Sequence, residues 1–251
     1  MTSRSPTLRA WLAEGPFTLV MSSGFFAFFA HTGMLGELLA AGAMPAAVAG
    51  SSAGALVGGA WAAGLAPDAF GAILTGLARE DFWDPRLGLG LLAGAKFDAL
   101  LRAMLPVTTF AACRVPVAIS VFDILRARTV ALTDGDLPLA IRASCCVPAM
   151  FHPVWIDRRA YWDGGIRDRP GLAGAATGAR ILYHHISSRS PWRRDRDLAI
   201  PRRADMVTLV IEDLPRSGPF KLDAGRAALA HARAATRRAL DAPLADAIAR
   251  V

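Results

Sequence analysis

Short apolar blocks broken by glycine, serine and proline fill the first quarter of the chain, and their lengths suit separate buried strands and helices. Residues 17–21 predict a first buried strand, Ser22-Ser23-Gly24 a turn, and residues 28–41 a helix that stops near Gly42. A second strand over 46–50 leads into Gly50-Ser51-Ser52-Ala53-Gly54, and Ala55-Leu56-Val57 opens the next helix. This βαβα order implies a right-handed crossover and a parallel sheet whose two turns share the carboxyl edge. Residues 22–26 and Ser52 are therefore expected to be neighbours in space.

Further along, residues 67–77 and 97–105 have helical periodicity, and the glycine-rich, tryptophan-bearing stretch 81–94 between them reads as a mobile flap. Residues 115–121 and 129–132 predict strands, 137–144 a helix, and 154–156 with 160–162 a hairpin about Asp157-Arg158-Arg159. Asp163-Gly164-Gly165 follows the hairpin. Residues 180–186 and 206–211 predict buried strands, and 224–240 an arginine-rich amphipathic helix docked on the sheet. With no repeat and no linker, residues 1–251 are expected to form one α/β domain, a three-layer αβα arrangement around a mainly parallel central sheet.

Composition sharpens this picture. The chain is 53% hydrophobic and 20% charged, with a mean hydropathy of +0.35, which excludes disorder and favours a deep core, an apolar cleft or membrane contact. Its net charge of +7 suits an anionic membrane surface. The same charge could serve nucleic acid, but no recognition motif accompanies it, so no nucleic-acid partner is expected. Cys113, Cys145 and Cys146 form neither a disulfide framework nor a zinc spacing, and no metal is expected. Residues 1–15 lack the apolar core of a secretory signal, and glycines and Pro45 punctuate 17–63 too often for a membrane span. The expectation is a cytoplasmic protein with no membrane-spanning helix, at most peripheral to a membrane.

The candidate chemistry starts at Ser52. A strand-to-helix turn as sharp as Gly50-Ser51-Ser52-Ala53-Gly54 brings its neighbours so close that a Cβ at either end would clash, and it forces the middle serine outward. A serine hydroxyl needs a base. His31, His152, His184, His185 and His231 carry no triad signature and read as packing or surface residues. Asp163 ends an apolar strand and precedes two glycines, a pattern that either exposes its carboxylate or simply makes a turn. A strand-end aspartate and an elbow serine on one sheet edge can share a proton without histidine.

Only one strand precedes the one that carries the elbow, which argues against the usual α/β-hydrolase order. The early elbow, the small-residue turn one βα unit upstream, residues 142–154 and the downstream Asp163-Gly164-Gly165 together resemble the patatin-like phospholipase family over about 17–171. That resemblance implies a patatin-like fold and a serine lipid acyl hydrolase without cofactor, acting on phospholipid or acylglycerol. In it Ser52 attacks the ester and Asp163 takes and returns the proton. The backbone amides of Gly24 and Phe25 would bind the oxyanion. Ser22-Ser23-Gly24-Phe25-Phe26-Ala27 departs from the family's glycine triplet and basic residue, and Gly24 to Phe29 is similar to the triglyceride-lipase branch. The degenerate turn leaves open a lipid-binding relative with impaired catalysis, and the acyl-enzyme leaves open acyl transfer to an alcohol.

Phe26, Phe28 and Phe29 are candidates for an acyl pocket, or else plain core. Arg189, Trp192, Arg193, Arg194, Arg196, Arg202 and Arg203 form a basic segment suited to anionic lipid or to plain solvation. Cys145 and Cys146 read as inert packing.

Overall fold

The computed structural model describes residues 5–187 and 199–251. Its elements are α1 (Leu8–Ala13), β1 (Thr18–Met21), α2 (Phe28–Ala40), β2 (Ala47–Ser51), α3 (Ala53–Ala62), α4 (Pro67–Gly76), β3 (Gly90–Leu92), α5 (Ala95–Met104), β4 (Val117–Asp123) and β5 (Arg128–Leu132). They continue with α6 (Leu137–Ser144), β6 (Ala149–Phe151), β7 (Val154–Ile156), β8 (Arg159–Asp163), β9 (Ile181–His185), β10 (Met206–Val210), α7 (Leu222–Asp241) and β11 (Ile248–Arg250).

The central sheet has the order β11-β10-β9-β1-β2-β4-β8-β7, with β5 also on β4. From β11 to β4 every neighbouring pair is parallel. This is the mostly parallel α/β sheet that the βαβα order predicts. Side chains alternate between faces with period two, but both faces are buried, so the strands read as continuous apolar runs. Leu19, Met21, Val48, Ile119, Leu182 and Leu209 join the larger core under the helices. Val20, Ala49, Ala118, Ile181 and Tyr183 form the smaller cluster on the opposite face, under Leu172 of a short helical turn. The third layer is thus thin. All ten residues of α3 are buried, which explains a helix with no charged residue.

Several elements differ from the sequence reading. Helix α7 packs chiefly on α2 rather than on the sheet, and three of its four arginines are tied to acids: Arg233 to Asp68, Arg226 to Asp223 and Arg237 to Glu37. The 81–94 stretch is anchored rather than flap-like. Within it β3 pairs with β6, and the Asp84 carboxylate accepts from the amides of Gly94 and Lys96 at 3.0 and 3.1 Å. Neither that pairing nor the short β11 has a strong apolar period. Among the described residues no helix is long and apolar enough to cross a membrane.

Candidate active site

Ser52 stands between β2 and α3 with φ 51° and ψ −117°, a conformation that costs a non-glycine residue about 1–3 kcal/mol unless its surroundings enforce it. They do so by crowding. A methyl group on Gly54 would overlap the carbonyl of Met21, and one on Gly50 would press into the Gly54 backbone. The backbone of Ser52 is also clamped through Ser144: the Ser52 amide donates to Ser144 Oγ at 2.8 Å, and that hydroxyl donates to the Ser120 carbonyl at 2.7 Å. The side chain of Ser52, 9% exposed, faces an apolar cavity.

Register places Asp163 beside it. Strand β2 pairs with β4 up to Ser51↔Ser120, and β8 begins at the next position, Asp163↔Val121. Residues 119–123 carry β5 on one edge, so β2 and β8 share the other edge and meet end to end. Gly164 completes the junction, since a Cβ there would overlap the Ser120 carbonyl and lie 2.8 Å from Ser51 Oγ. The buried Asp163 carboxylate accepts from the Gly165 amide at 2.7 Å and faces the cavity that Ser52 lines.

The first turn, residues 22–27, supplies the third wall. The Ser22 and Ser23 amides are engaged by His184 O and Arg169 O at 3.2 and 2.7 Å, whereas those of Gly24 and Phe25 donate to no backbone or side-chain acceptor among the described residues. Beneath it lies a buried imidazole pair. His31 Nε2 meets Ser22 O at 2.8 Å and His31 Nδ1 meets His184 Nδ1 at 2.8 Å. A carbonyl can only accept, so Nε2 of His31 carries the hydrogen and its bare Nδ1 accepts from His184. Burial, more than any charge, drives His31 down to about 4 and His184 well below the usual histidine range, so both rings are neutral. The Ser22 hydroxyl accepts from the Ile186 amide at 3.0 Å, and the buried Arg169 guanidinium donates to the Ile186 carbonyl.

The cavity holds about 580 Å³. Ser23, Gly24, Phe25, Ser52, Ala53 and Asp163 form its polar end, and Phe26, Phe28, Leu56, Leu74, Phe97 and Phe151 belong to its apolar wall. Gly165 lines it too, while Gly50, Ser51, Gly54 and Gly164 lie behind the wall as packing. Phe29 corrects the expectation of an acyl pocket: it is fully buried and points away, against α7 at Gly225. None of the five histidines lines the cavity. The Cys145 thiol sits 3.3 Å from Ser52 O, and burial first, then the Asp163 charge, pushes it well above the usual thiol range, so it stays protonated. Among the described residues no cluster of His, Cys, Asp and Glu could hold a metal ion.

Ser144, Arg169, His31, His184 and Ser22 are supports that sequence reasoning missed. Each acts on a residue distant in the chain and carries no local motif. Of the basic segment, Arg189, Trp192, Arg193, Arg194 and Arg196 lie outside the described residues, and Arg203 donates to Leu172 O at 3.3 Å.

Comparison with known proteins bears on the family and the fold. The profile of the family described as patatin-like phospholipase matches residues 19–176. Proteins named as uncharacterised NTE family members in Mycobacterium bovis and Mycobacterium tuberculosis are 32% identical over 162 residues, 63% of this chain and 45% of theirs. The chain therefore spans under half the length of these relatives. The crystal structure of VipD from Legionella pneumophila superposes with a TM-score of 0.65 at 11% identity, covering 90% of this chain and 66% of that one; at that identity the likeness speaks to the fold.

Proposed function

The chain belongs to the patatin-like phospholipase family, and we propose on that premise that it is a lipid acyl hydrolase working through Ser52 and Asp163 by way of an acyl-enzyme. The single observation that carries the reading is the end-to-end meeting of β2 and β8 on one edge of β4, with both side chains on one cavity. In the first half-reaction Ser52 Oγ attacks the ester carbonyl while its proton passes to the Asp163 carboxylate. The tetrahedral oxyanion takes hydrogen bonds from the Gly24 and Phe25 amides, in the field of the α3 N-terminus that begins at Ser52. Collapse expels the alcohol, which leaves with the proton from Asp163. In the second half-reaction Asp163 takes a proton from water, the hydroxide adds to the acyl-enzyme, and the fatty acid departs as Ser52 regains its proton.

The apolar wall suits a fatty-acyl chain, so the substrate class is phospholipid or acylglycerol, and peripheral contact with an anionic membrane would deliver it. Nothing in the reaction requires a cofactor. The 1–251 chain acts in this reading as one catalytic domain. A histidine base is disfavoured, because no histidine lines the cavity and His31 and His184 are buried and committed to the first turn. The amides of Gly24 and Phe25 favour the enzyme over a lipid-binding relative that has lost catalysis.

The test is hydrolysis of short-chain nitrophenyl esters with fluorophosphonate labelling of Ser52. Asp163→Asn is expected to lower kcat by about 10²–10⁴-fold while leaving the fold intact. Full activity in that variant, together with loss of activity on a histidine substitution, would overturn the dyad.

A further inference from the structure

Large apolar side chains exposed to solvent are unevenly distributed over the described residues. Phe25 and Ile166 stand on the rim of the cavity itself. Leu87, Leu89 and Leu91 project from the turn between Trp83 and Leu92, two residues of the cavity wall, and Leu87 is 100% exposed. Phe220 follows the wall residue Pro219 and packs edge-on against Trp83 at 5.7 Å. The remaining exposed ones, Met44, Leu125 and Trp155, sit on separate elements. Six exposed apolar side chains thus lie on the cavity rim or on segments that start from its wall.

The leucines are held out rather than left loose. The Arg86 amide donates to Leu91 O at 3.0 Å, Pro85 and Leu92 form a bridge, and His152 Nε2 donates to Arg86 O at 3.1 Å. Cations surround them: Arg86, Arg167, Arg216 and Lys221 are exposed, and the Arg79 guanidinium lies 5.3 Å from the Phe220 ring and 5.7 Å from that of Trp83. Nearby carboxylates are engaged. Asp81 accepts from the Ala78 amide, Asp84 holds Gly94 and Lys96, and Glu80 pairs with Arg79.

We propose that this rim is a docking surface for an anionic lipid bilayer, with Leu87, Leu89, Leu91 and Phe220 entering the acyl boundary and the arginines meeting the head groups. Charge selects this occupant, because exposed cations about an apolar patch match an anionic interface and would repel a second copy of the same face. Continuity with the cavity selects it again: an acyl chain passing from bilayer to cavity never crosses water. The assignment rests on the acyl-hydrolase reading for its purpose, but the binding itself can be measured without catalysis.

The experiment is co-sedimentation of the full chain with vesicles of ether-linked phosphatidylcholine, which ester hydrolysis cannot consume, with and without ether-linked phosphatidylglycerol. Wild type is expected to bind the anionic vesicles, with about tenfold weaker binding to the neutral ones and to either by the Leu87→Glu/Leu89→Glu variant. Circular dichroism controls for folding, and hydrolysis of a soluble nitrophenyl ester is expected to be unchanged in that variant. Equal vesicle binding by variant and wild type overturns the proposal, as does no binding by wild type. A wild-type dimer that dissociates in the variant also overturns it, in favour of a second copy as the occupant. If wild type hydrolyses no ester yet binds vesicles in a leucine-dependent way, the hydrolase reading fails and the docking surface stands.

Discussion

The elbow at Ser52 and the first turn at residues 22–27 face each other across the polar end of one cavity, and they are held by different forces. At the elbow, backbone lies against backbone: Gly54 on the Met21 carbonyl, Gly50 on Gly54, and Gly164 on the Ser120 carbonyl. There steric exclusion fixes the strained serine, and a small displacement has nowhere to go. The first turn is suspended from hydrogen bonds instead, through His31 to the Ser22 carbonyl, Ser22 Oγ to the Ile186 amide, and the Ser23 amide to the Arg169 carbonyl. Hydrogen bonds tolerate adjustment and depend on protonation, while backbone contact does neither. The elbow should therefore fail abruptly under substitution, and the first turn gradually and with pH.

The largest effect is expected at Gly54→Ala. Its new methyl meets backbone that cannot rotate away, so the cost is about 4 kcal/mol or more, or the chain does not fold at all. Gly24→Ala is the matched probe on the other turn. Its methyl would meet Ala27 Cβ at 2.7 Å and Ile186 Cγ2 at 3.2 Å, a shallower overlap than that of Gly54 with the Met21 carbonyl, and it should cost clearly less. Urea unfolding of both variants checks the contrast, and equal losses would break it.

Next in size is pH dependence. Burial lowers His31 from 6.5 to about 4 in the folded chain. Below pH 6.5 the unfolded chain takes up a proton that the folded chain refuses, so the stability present above 6.5 is lost as pH falls toward 4. For His31 alone the integrated loss is about 3 kcal/mol, and His184 adds a further loss in the same direction. Stability measured in urea from pH 7 to pH 4.5 should fall less steeply in His31→Gln than in wild type. Parallel slopes would show that the imidazole pair does not govern the turn.

This contrast also explains what the sequence disclosed. Steric turns leave a mark in the chain, because glycine is required where backbones touch; Gly50, Gly54 and Gly164 stand next to the residues they serve, and the elbow and aspartate turn are legible for that reason. The order βαβα likewise followed from short apolar blocks, and the mostly parallel sheet with it. Supports made of hydrogen bonds leave no such mark. His31 serves Ser22 through the helix that follows it, His184 lies 153 residues from His31, and Ser144 lies 92 from Ser52. Phe29 was misplaced for a related reason: neighbouring phenylalanines on a helix point to different faces, and only packing against α7 decides which one enters the core. The β3–β6 pairing escaped because three-residue strands carry no period to read.

Ser144 links the two regimes, since one hydroxyl serves the crowded elbow by hydrogen bonding. Ser144→Ala leaves the Ser52 amide and one bond of the Ser120 carbonyl unmade in a buried place, at a cost of about 2 kcal/mol. If the elbow is fixed mainly by contact, kcat for a soluble ester should fall only about tenfold, because misplacement of the nucleophile is limited by the glycine packing around it. A fall as deep as that of Ser52→Ala would show that the hydroxyl, and not the crowding, sets the nucleophile.

The smallest expected effect is the most direct probe of the first turn. Ser22→Ala removes the acceptor of the Ile186 amide and adds no bulk, so stability should drop by about 1 kcal/mol. The Ser22 carbonyl keeps its bond to His31, and the turn stays in place but gains freedom. Since the Gly24 and Phe25 amides are assigned to the oxyanion, which exists only after attack, loosening them should lower kcat severalfold and leave KM nearly unchanged. A rise in KM at constant kcat would instead make this turn part of the ground-state binding wall, and would move the oxyanion donors to the α3 end of the site, where Ala53 opens the helix.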